Sequence, residues 1–319
     1  MLSLSNISLK PEEERSFAHS FAPGEISVVL GANQSGKTDL CRLIAGLNTR
    51  ARGSVHLDNQ SLDGVNPRRR PASMVYQAFV NYPNLTVFEN IASPLRAQKA
   101  NAEVISRTVM SLAEKLHIQA LLDRYPRELS GGQQQRLAIA RALAKQARVL
   151  LLDEPLVNLD FKLREALEVE LRELLHASNT IVIYTSSDPR DAFTLGDQLL
   201  LLDGGQKVQS GPPLEVYQNP SSFKAMALLA DPDINRFQRD GKSCALRPEH
   251  LYLESEGSVT STALSFDMQV SAYETSGSES YVHGQVDGND WVLRHNGMLS
   301  PEIGQSLKVS AAVRDVVQF

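Results

Sequence analysis

Eight residues, Gly31-Ala32-Asn33-Gln34-Ser35-Gly36-Lys37-Thr38, limit the folds open to this chain more than any other stretch. They match G-x-x-x-x-G-K-[ST] and directly follow the apolar run Ile26-Ser27-Val28-Val29-Leu30. A loop that wraps phosphate needs backbone N–H groups turned into one concavity, small residues, and a helix N-terminus behind it. Lys37 would then reach the β- and γ-phosphates, and Thr38 would bind Mg²⁺ through its hydroxyl. The octapeptide alone also arises by chance. Here an apolar strand precedes it, and a helix is predicted from Asp39 to Leu47, stopping near Gly46.

A second apolar run, Val149-Leu150-Leu151-Leu152, ends in Asp153-Glu154. At a strand end beside a phosphate loop, Asp153 can hold Mg²⁺ through its water shell and Glu154 can orient or deprotonate a water. Thr180 to Tyr184 is a third such run, as expected of strands buried on both faces. Between them, Asp160 to His176 reads as a helix with Leu163, Leu167, Leu171, Leu174 and Leu175 on one face. Strands alternating with helices predict an α/β domain with a largely parallel sheet.

Beyond Asp231-Pro232-Asp233 the pattern changes to short alternating runs, such as Phe266 to Val270 and Trp291 to Leu293, separated by Gly, Ser, Asn and Asp. These predict a small all-β barrel or sandwich over 233–319, after an α/β domain over 1–232. A length of 319 residues accommodates both. The net charge of −5 provides no basic field for nucleic acid. The cluster Arg68-Arg69-Arg70 is read as solvated surface. Cys41 and Cys244 match no metal spacing and read as small buried residues or free thiols, consistent with a reducing compartment. No signal peptide is recognised, and no apolar run reaches the roughly 20 residues that span a bilayer.

Leu129-Ser130-Gly131-Gly132-Gln133, between the phosphate loop and the Asp-Glu strand, resembles the signature of ATP-binding subunits of ABC transporters. Gln77 matches the family's Q-loop, and Leu159-Asp160 its D-loop. The resemblance implies an ABC-type nucleotide-binding domain with a helical subdomain, using ATP and Mg²⁺. Glu154 and Gln77 would act in hydrolysis, and Thr38, Gln77 and Asp153 would hold the metal. Gly31 to Asp39 would hold the nucleotide. Leu129 to Gln133, with Asp160, would contact ATP on a second ATP-binding subunit.

Asn81 to Ile91 and Leu246-Arg247-Pro248-Glu249-His250-Leu251 are similar to the carbohydrate-uptake branch. That branch carries an OB-like regulatory domain at its C-terminus. It implies two permease subunits, a periplasmic binding protein, no nucleic acid, and a peripheral place on the cytoplasmic face of the bacterial inner membrane. Its cargo would be a sugar, polyol, glycerol or glycerol phosphate. The stretch from Gln77 to Asn90 would receive a permease coupling helix.

Four departures fall on one half of the shared site. Ser187 stands at the switch-histidine position, and serine has neither a second ring nitrogen nor a charge near neutral pH. Gln34 replaces a glycine of the loop, and Asp39 replaces a threonine near the α-phosphate. Ser8 to Arg15 lacks the aromatic residue on which adenine stacks, Phe17 being the nearest. With the signature complete, this one-sided pattern predicts the degenerate member of a heterodimer. The alternatives are a slow homodimeric importer ATPase and, further off, a regulatory or non-transport ABC protein.

Overall fold

The computed structural model describes residues 1–10, 12, 15–48, 50–157, 161–176, 179–256 and 263–319, without the side chains of 161–163, 165, 166 and 256. It divides into two compact units, Met1–Asn219 and Pro220–Phe319. This division lies upstream of the composition change at Asp231-Pro232-Asp233 and places the short helix Phe223–Leu228 in the second unit.

In the first unit the strands are Leu2–Ser8 (β1), Phe17–Phe21 (β2), Ile26–Leu30 (β3), Arg52–Leu57 (β4), Gln60–Ser61 (β5), Ala72–Val75 (β6), Val149–Asp153 (β7), Ile181–Ser186 (β8), Gln198–Asp203 (β9) and Gln206–Gly211 (β10). The helices are Lys37–Ala45 (α1), Val87–Ala97 (α2), Ala102–Lys115 (α3), Gly131–Ala144 (α4), Phe161–His176 (α5), Pro189–Thr194 (α6) and Pro213–Gln218 (α7). A six-stranded sheet runs β10-β9-β3-β8-β7-β6, parallel except where β10 meets β9. All residues of β3, β7 and β8 are buried, which is why these runs are continuously apolar rather than alternating. A four-stranded antiparallel sheet, β2-β1-β4-β5, shares a core with it through Leu2, Leu4, Ile7, Phe21, Val29 and Ile44. The helices α2, α3 and α4 pack on one another, as the expected helical subdomain requires.

Two details differ from the sequence reading. Helix α1 begins at Lys37, not Asp39, because Gly36 in the left-handed region caps it directly after the loop. The Arg68 to Arg70 cluster is not uniformly solvated. Arg70 is 7% exposed, and its Nη1 donates to Leu43 O (2.9 Å) and Ile44 O (2.8 Å), satisfying carbonyls at the end of α1.

The second unit carries Phe223–Leu228 (α8) and the strands Asn235–Arg239 (β11), Lys242–Leu246 (β12), Tyr252–Leu253 (β13), Ala263–Thr275 (β14), Glu279–Val286 (β15), Asn289–Asn296 (β16), Ser306–Ala312 (β17) and Val317–Gln318 (β18). They form antiparallel sheets β11-β12-β18 and β13-β17-β14-β15-β16. Their shared core is built on Trp291, Met268, Val282, Leu293 and Val309, with Phe237 and Phe266 packed against it. Trp291 buries its ring and keeps its N–H satisfied by donating to Arg236 O at 3.1 Å.

Candidate functional site

The phosphate loop joins the end of β3 to α1, at the C-terminal edge of the parallel sheet, where ligands of open α/β sheets bind. A Cβ on Gly31 would lie 2.3 Å from Leu202 O and 2.4 Å from Ser35 Oγ, so only glycine fits there. Gly36 has φ +104°, and a Cβ on it would press on Leu9 and Gly205. Gln34 is also left-handed, at φ 64°. That is the physical reason a glycine is at home in its place: a side chain there is held in a conformation that L-residues avoid.

Lys37 is 5% exposed. Its Nζ donates to Gly31 O (2.6 Å) and Ala32 O (2.9 Å) and pairs with Glu154 Oε1 at 3.3 Å. Gln77 Nε2 donates to Glu154 Oε2 at 3.0 Å. Thr38 Oγ1 donates to Asp153 Oδ1 at 3.0 Å. The structure therefore brings Lys37, Thr38, Gln77, Asp153 and Glu154 into one hydrogen-bonded network. Glu154 itself has φ 46°, a left-handed backbone on a non-glycine residue, of the kind found where a side chain is aimed for function. Burial raises the Asp153 carboxyl above the usual Asp range, against the lowering effect of hydrogen bonds from Thr185 and Thr38.

Thr185 is the member of this network that motif reading missed. The parallel register sets Asp153 beside Thr185. The fully buried hydroxyl donates to Asp153 Oδ1 (2.9 Å) and accepts from Glu154 N–H (3.0 Å). The only signal for it was its place at the end of the third apolar strand.

The residues fit Mg²⁺ and a nucleotide phosphate tail. Ser35 Oγ is buried with no partner among the described residues, inside a loop whose Gly31 leaves no room for a side chain. Ala32, Asn33 and Gln34 are exposed at the loop's rim. Thr38 and Asp153 present a hydroxyl and a carboxylate oxygen side by side, a donor set suited to a hard cation. Asp39 is exposed in the first turn of α1, where a carboxylate suits the helix dipole, and its Oδ1 lies 3.5 Å from Asn48 Nδ2.

Ser187 is exposed. It borders a cavity of about 30 Å³ together with Glu154, Val157, Arg164, Asp188 and Asp191. Asp188, not Ser187, caps α6 by accepting from Arg190 N–H, with Pro189 at the first helical position. His176 ends α5 and pairs with Asp197, so it does not replace the switch histidine. Phe17 is 9% exposed and belongs to the core of the first unit, which removes it as an adenine platform.

Ser130 caps α4 in a capping box: its hydroxyl accepts from Gln133 N–H (3.4 Å), and its own N–H donates to Gln133 Oε1 (3.0 Å). Leu129 anchors the segment at 7% exposure, and a Cβ on Gly131 would meet nothing within 4 Å. With Gly132, the signature is thus an open helix N-terminus. No hydrogen bond or ion pair among the described residues joins Leu129–Gln133 to the phosphate loop. Asp160 lies outside the described residues.

A groove of about 480 Å³ adjoins the Q-loop, lined by Arg68, Tyr76, Tyr82, Pro94, Arg141 and Lys145 among others. The Arg141 guanidinium lies 4.7 Å from the Tyr82 ring centroid, and burial lowers the pKa of both Arg141 and Lys145. No helix among the described residues is long and apolar enough to cross a membrane.

The sheet, the loop and the paired carboxylates define a phosphate-loop nucleotide-binding cassette. The family model described as "ABC transporter" matches residues 15–157. A protein named sn-glycerol-3-phosphate import ATP-binding protein UgpC, from Brucella abortus (strain 2308), is 33% identical over 93% of this chain and 90% of its own length. UgpC 3 of Agrobacterium fabrum is 34% identical over 97% of this chain and 93% of its own. Among solved structures, the ATP-binding cassette MJ0796, as a dimer bound to ADP and Pi, superposes with TM-score 0.59 at 26% identity, covering 67% of this chain and 99% of that one. The chain belongs to the ABC transporter family, as an ATP-binding subunit, and is homologous to ATPases.

Proposed function

We propose that this chain is the ATP-binding subunit of an importer for glycerol phosphate or a related polyol or sugar, and the partly degenerate member of a heterodimeric pair. The relatives' names support the cargo class. The observation that carries the asymmetry is the contrast between the two halves. On the phosphate-loop half, Gln34 is held at φ 64° and the switch position is an exposed serine. On the signature half, Ser130 and Gln133 close a complete capping box. Mg·ATP bound to this chain would be held by the loop amides, Lys37, Thr38, Asp153 and Gln77, and the metal would neutralise charge on the phosphates. Glu154, held between Lys37 and Gln77, would orient water. Without an imidazole, this site would bind ATP and turn over slowly. Leu129 to Gln133, with Asp160, would complete the faster site on the second subunit.

Two permease subunits would seat a coupling helix in the groove between Tyr82 and Lys145, and a periplasmic binding protein would deliver the cargo. The chain would then lie peripherally on the cytoplasmic face of the inner membrane. The intact Lys37–Glu154–Gln77 network favours a second reading, a slow homodimeric ATPase. Purifying the chain alone and assaying ATP hydrolysis separates the two. The proposal expects hydrolysis near background and co-purification with a second ATP-binding chain. Robust hydrolysis by the isolated chain, abolished by Lys37→Ala, would refute it.

A further inference from the structure

One guanidinium holds three carboxylates behind the switch position. Arg164, in the first turn of α5, contacts Glu168 Oε1 at 2.7 Å, Asp188 Oδ2 at 3.0 Å and Asp191 Oδ1 at 2.5 Å. The cluster is largely withdrawn from water: the side chains of Arg164 and Asp188 are 19% exposed, and that of Asp191 is 3%. Burial pulls the Arg164 pKa down, yet the bonds to Asp191 and Glu168 outweigh it and raise the pKa overall. Behind Asp191 stands the Tyr184 hydroxyl, 1% exposed. Arg190 grips Asp188 from the solvent side, at 2.8 Å.

Two of the three carboxylates belong to the segment that bears Ser187. Asp188 caps α6 and Asp191 lies in its first turn. A helix of six residues has almost no stability of its own, so its position comes from tertiary contacts. Arg164 also lines the cavity that Glu154 and Ser187 share, so the cluster abuts the catalytic carboxylate's surroundings. In sequence, Arg164 follows Asp160 of the trans-acting motif by four positions.

We infer that Arg164 is a positioning residue for hydrolysis: it locks the start of α6, and with it Ser187, to the first turn of α5. Any displacement of the first turn of α5 therefore carries the switch segment with it. This coupling operates through the backbone of α6 and does not need an imidazole. It also holds whether the second subunit is a copy or a different chain, so its test is separate from that of the heterodimer.

The test is hydrogen exchange on the full-length chain, together with ATPase assays on the importer purified through a tag on this chain. Arg164→Met leaves three carboxylates without their shared cation. Amides of residues 186–191 should exchange about tenfold faster or more, while those of α1 and α4 stay within about twofold. Hydrolysis at this chain's own phosphate loop, read in single turnover with the second subunit's phosphate-loop lysine replaced where that subunit is a different chain, should fall about tenfold in kcat with KM for ATP nearly unchanged, since no group touching the nucleotide is removed. Arg164→Lys keeps the charge but not the planar fork, and should give intermediate exchange and intermediate kcat. Should Arg164→Met not fold, Asp191→Asn should produce the same local rise in exchange. Unchanged exchange at 186–191, a loss spread equally over α1 and α4, a loss in KM rather than kcat, or a Lys variant no better than Met each overturns the inference.

Discussion

Replacing Thr185 by valine keeps the shape of the side chain and removes one hydroxyl. That hydroxyl is fully buried and makes two bonds, to Asp153 Oδ1 at 2.9 Å and from Glu154 N–H at 3.0 Å. Each bond lost from a buried partner costs about 1–3 kcal/mol, and Asp153 retains its bond from Thr38, so a total near 3 kcal/mol is expected. For a unit of this size, 1 kcal/mol moves Tm by about 2–4 °C, so the melting transition should fall by roughly 6–12 °C. The loss should also depend on pH. Burial raises the folded-state pKa of Asp153, and the Thr185 bond lowers it. Removing that bond raises the folded pKa further. A raised carboxyl contributes stability below its unfolded pKa and loses it as pH rises through the folded value. The destabilisation by Thr185→Val should therefore be larger at pH 8 than at pH 5. Thermal unfolding followed by circular dichroism at both pH values measures this. A Tm drop under about 2 °C, or an equal drop at both pH values, would refute the claim that this hydroxyl supports the carboxylate pair.

Three other outcomes follow from the geometry. Gln34→Gly relieves a left-handed non-glycine residue worth about 1 kcal/mol, so the melting transition should rise by up to roughly 2–4 °C; an unchanged Tm would place the strain elsewhere. Arg70→Met leaves the carbonyls of Leu43 and Ile44 without their charged donor, a loss of about 3 kcal/mol that a urea titration would register as a lower midpoint at constant slope. Burial, with Lys207 nearby, lowers His19 to about 4, so the folded chain resists its protonation. Stability should fall by up to roughly 3 kcal/mol as pH drops from about 6.5 towards 4, and His19→Gln should flatten that limb of the denaturation profile.

Most of the candidate nucleotide site is legible in the sequence, because its residue types stand at fixed local spacing. A phosphate loop must run from strand to helix, and Gly31, Gly36, Lys37 and Thr38 declare that over eight positions. The Asp-Glu pair declares itself by ending an apolar run. Gln34 was visible as a departure from family pattern; its φ of 64° supplied the reason. Arg70 was misread because a charge run carries no record of which member turns inward. The backbone curl that brings the end of α1 over Arg70 is a matter of packing.

Thr185 and Arg164 could not be found by pattern at all. Thr185 meets Asp153 across 32 positions and Arg164 meets Asp191 across 27, and nothing in the intervening residues encodes either contact. The first pairing arises because β7 and β8 run parallel in a register that sets Asp153 against Thr185. The second arises because α5 and α6 follow the neighbouring parallel strands β7 and β8, so both helices start at the sheet's C-terminal edge. Sequence by itself determined the binding class, the nucleotide loop, the signature and the places where this chain departs from its family, since these depend on residue type at fixed spacing. Only the tertiary structure decided which buried groups hold the carboxylates and the switch segment in place. Hydrogen bonds and ion pairs withdrawn from water are set by distances that the folded chain alone creates.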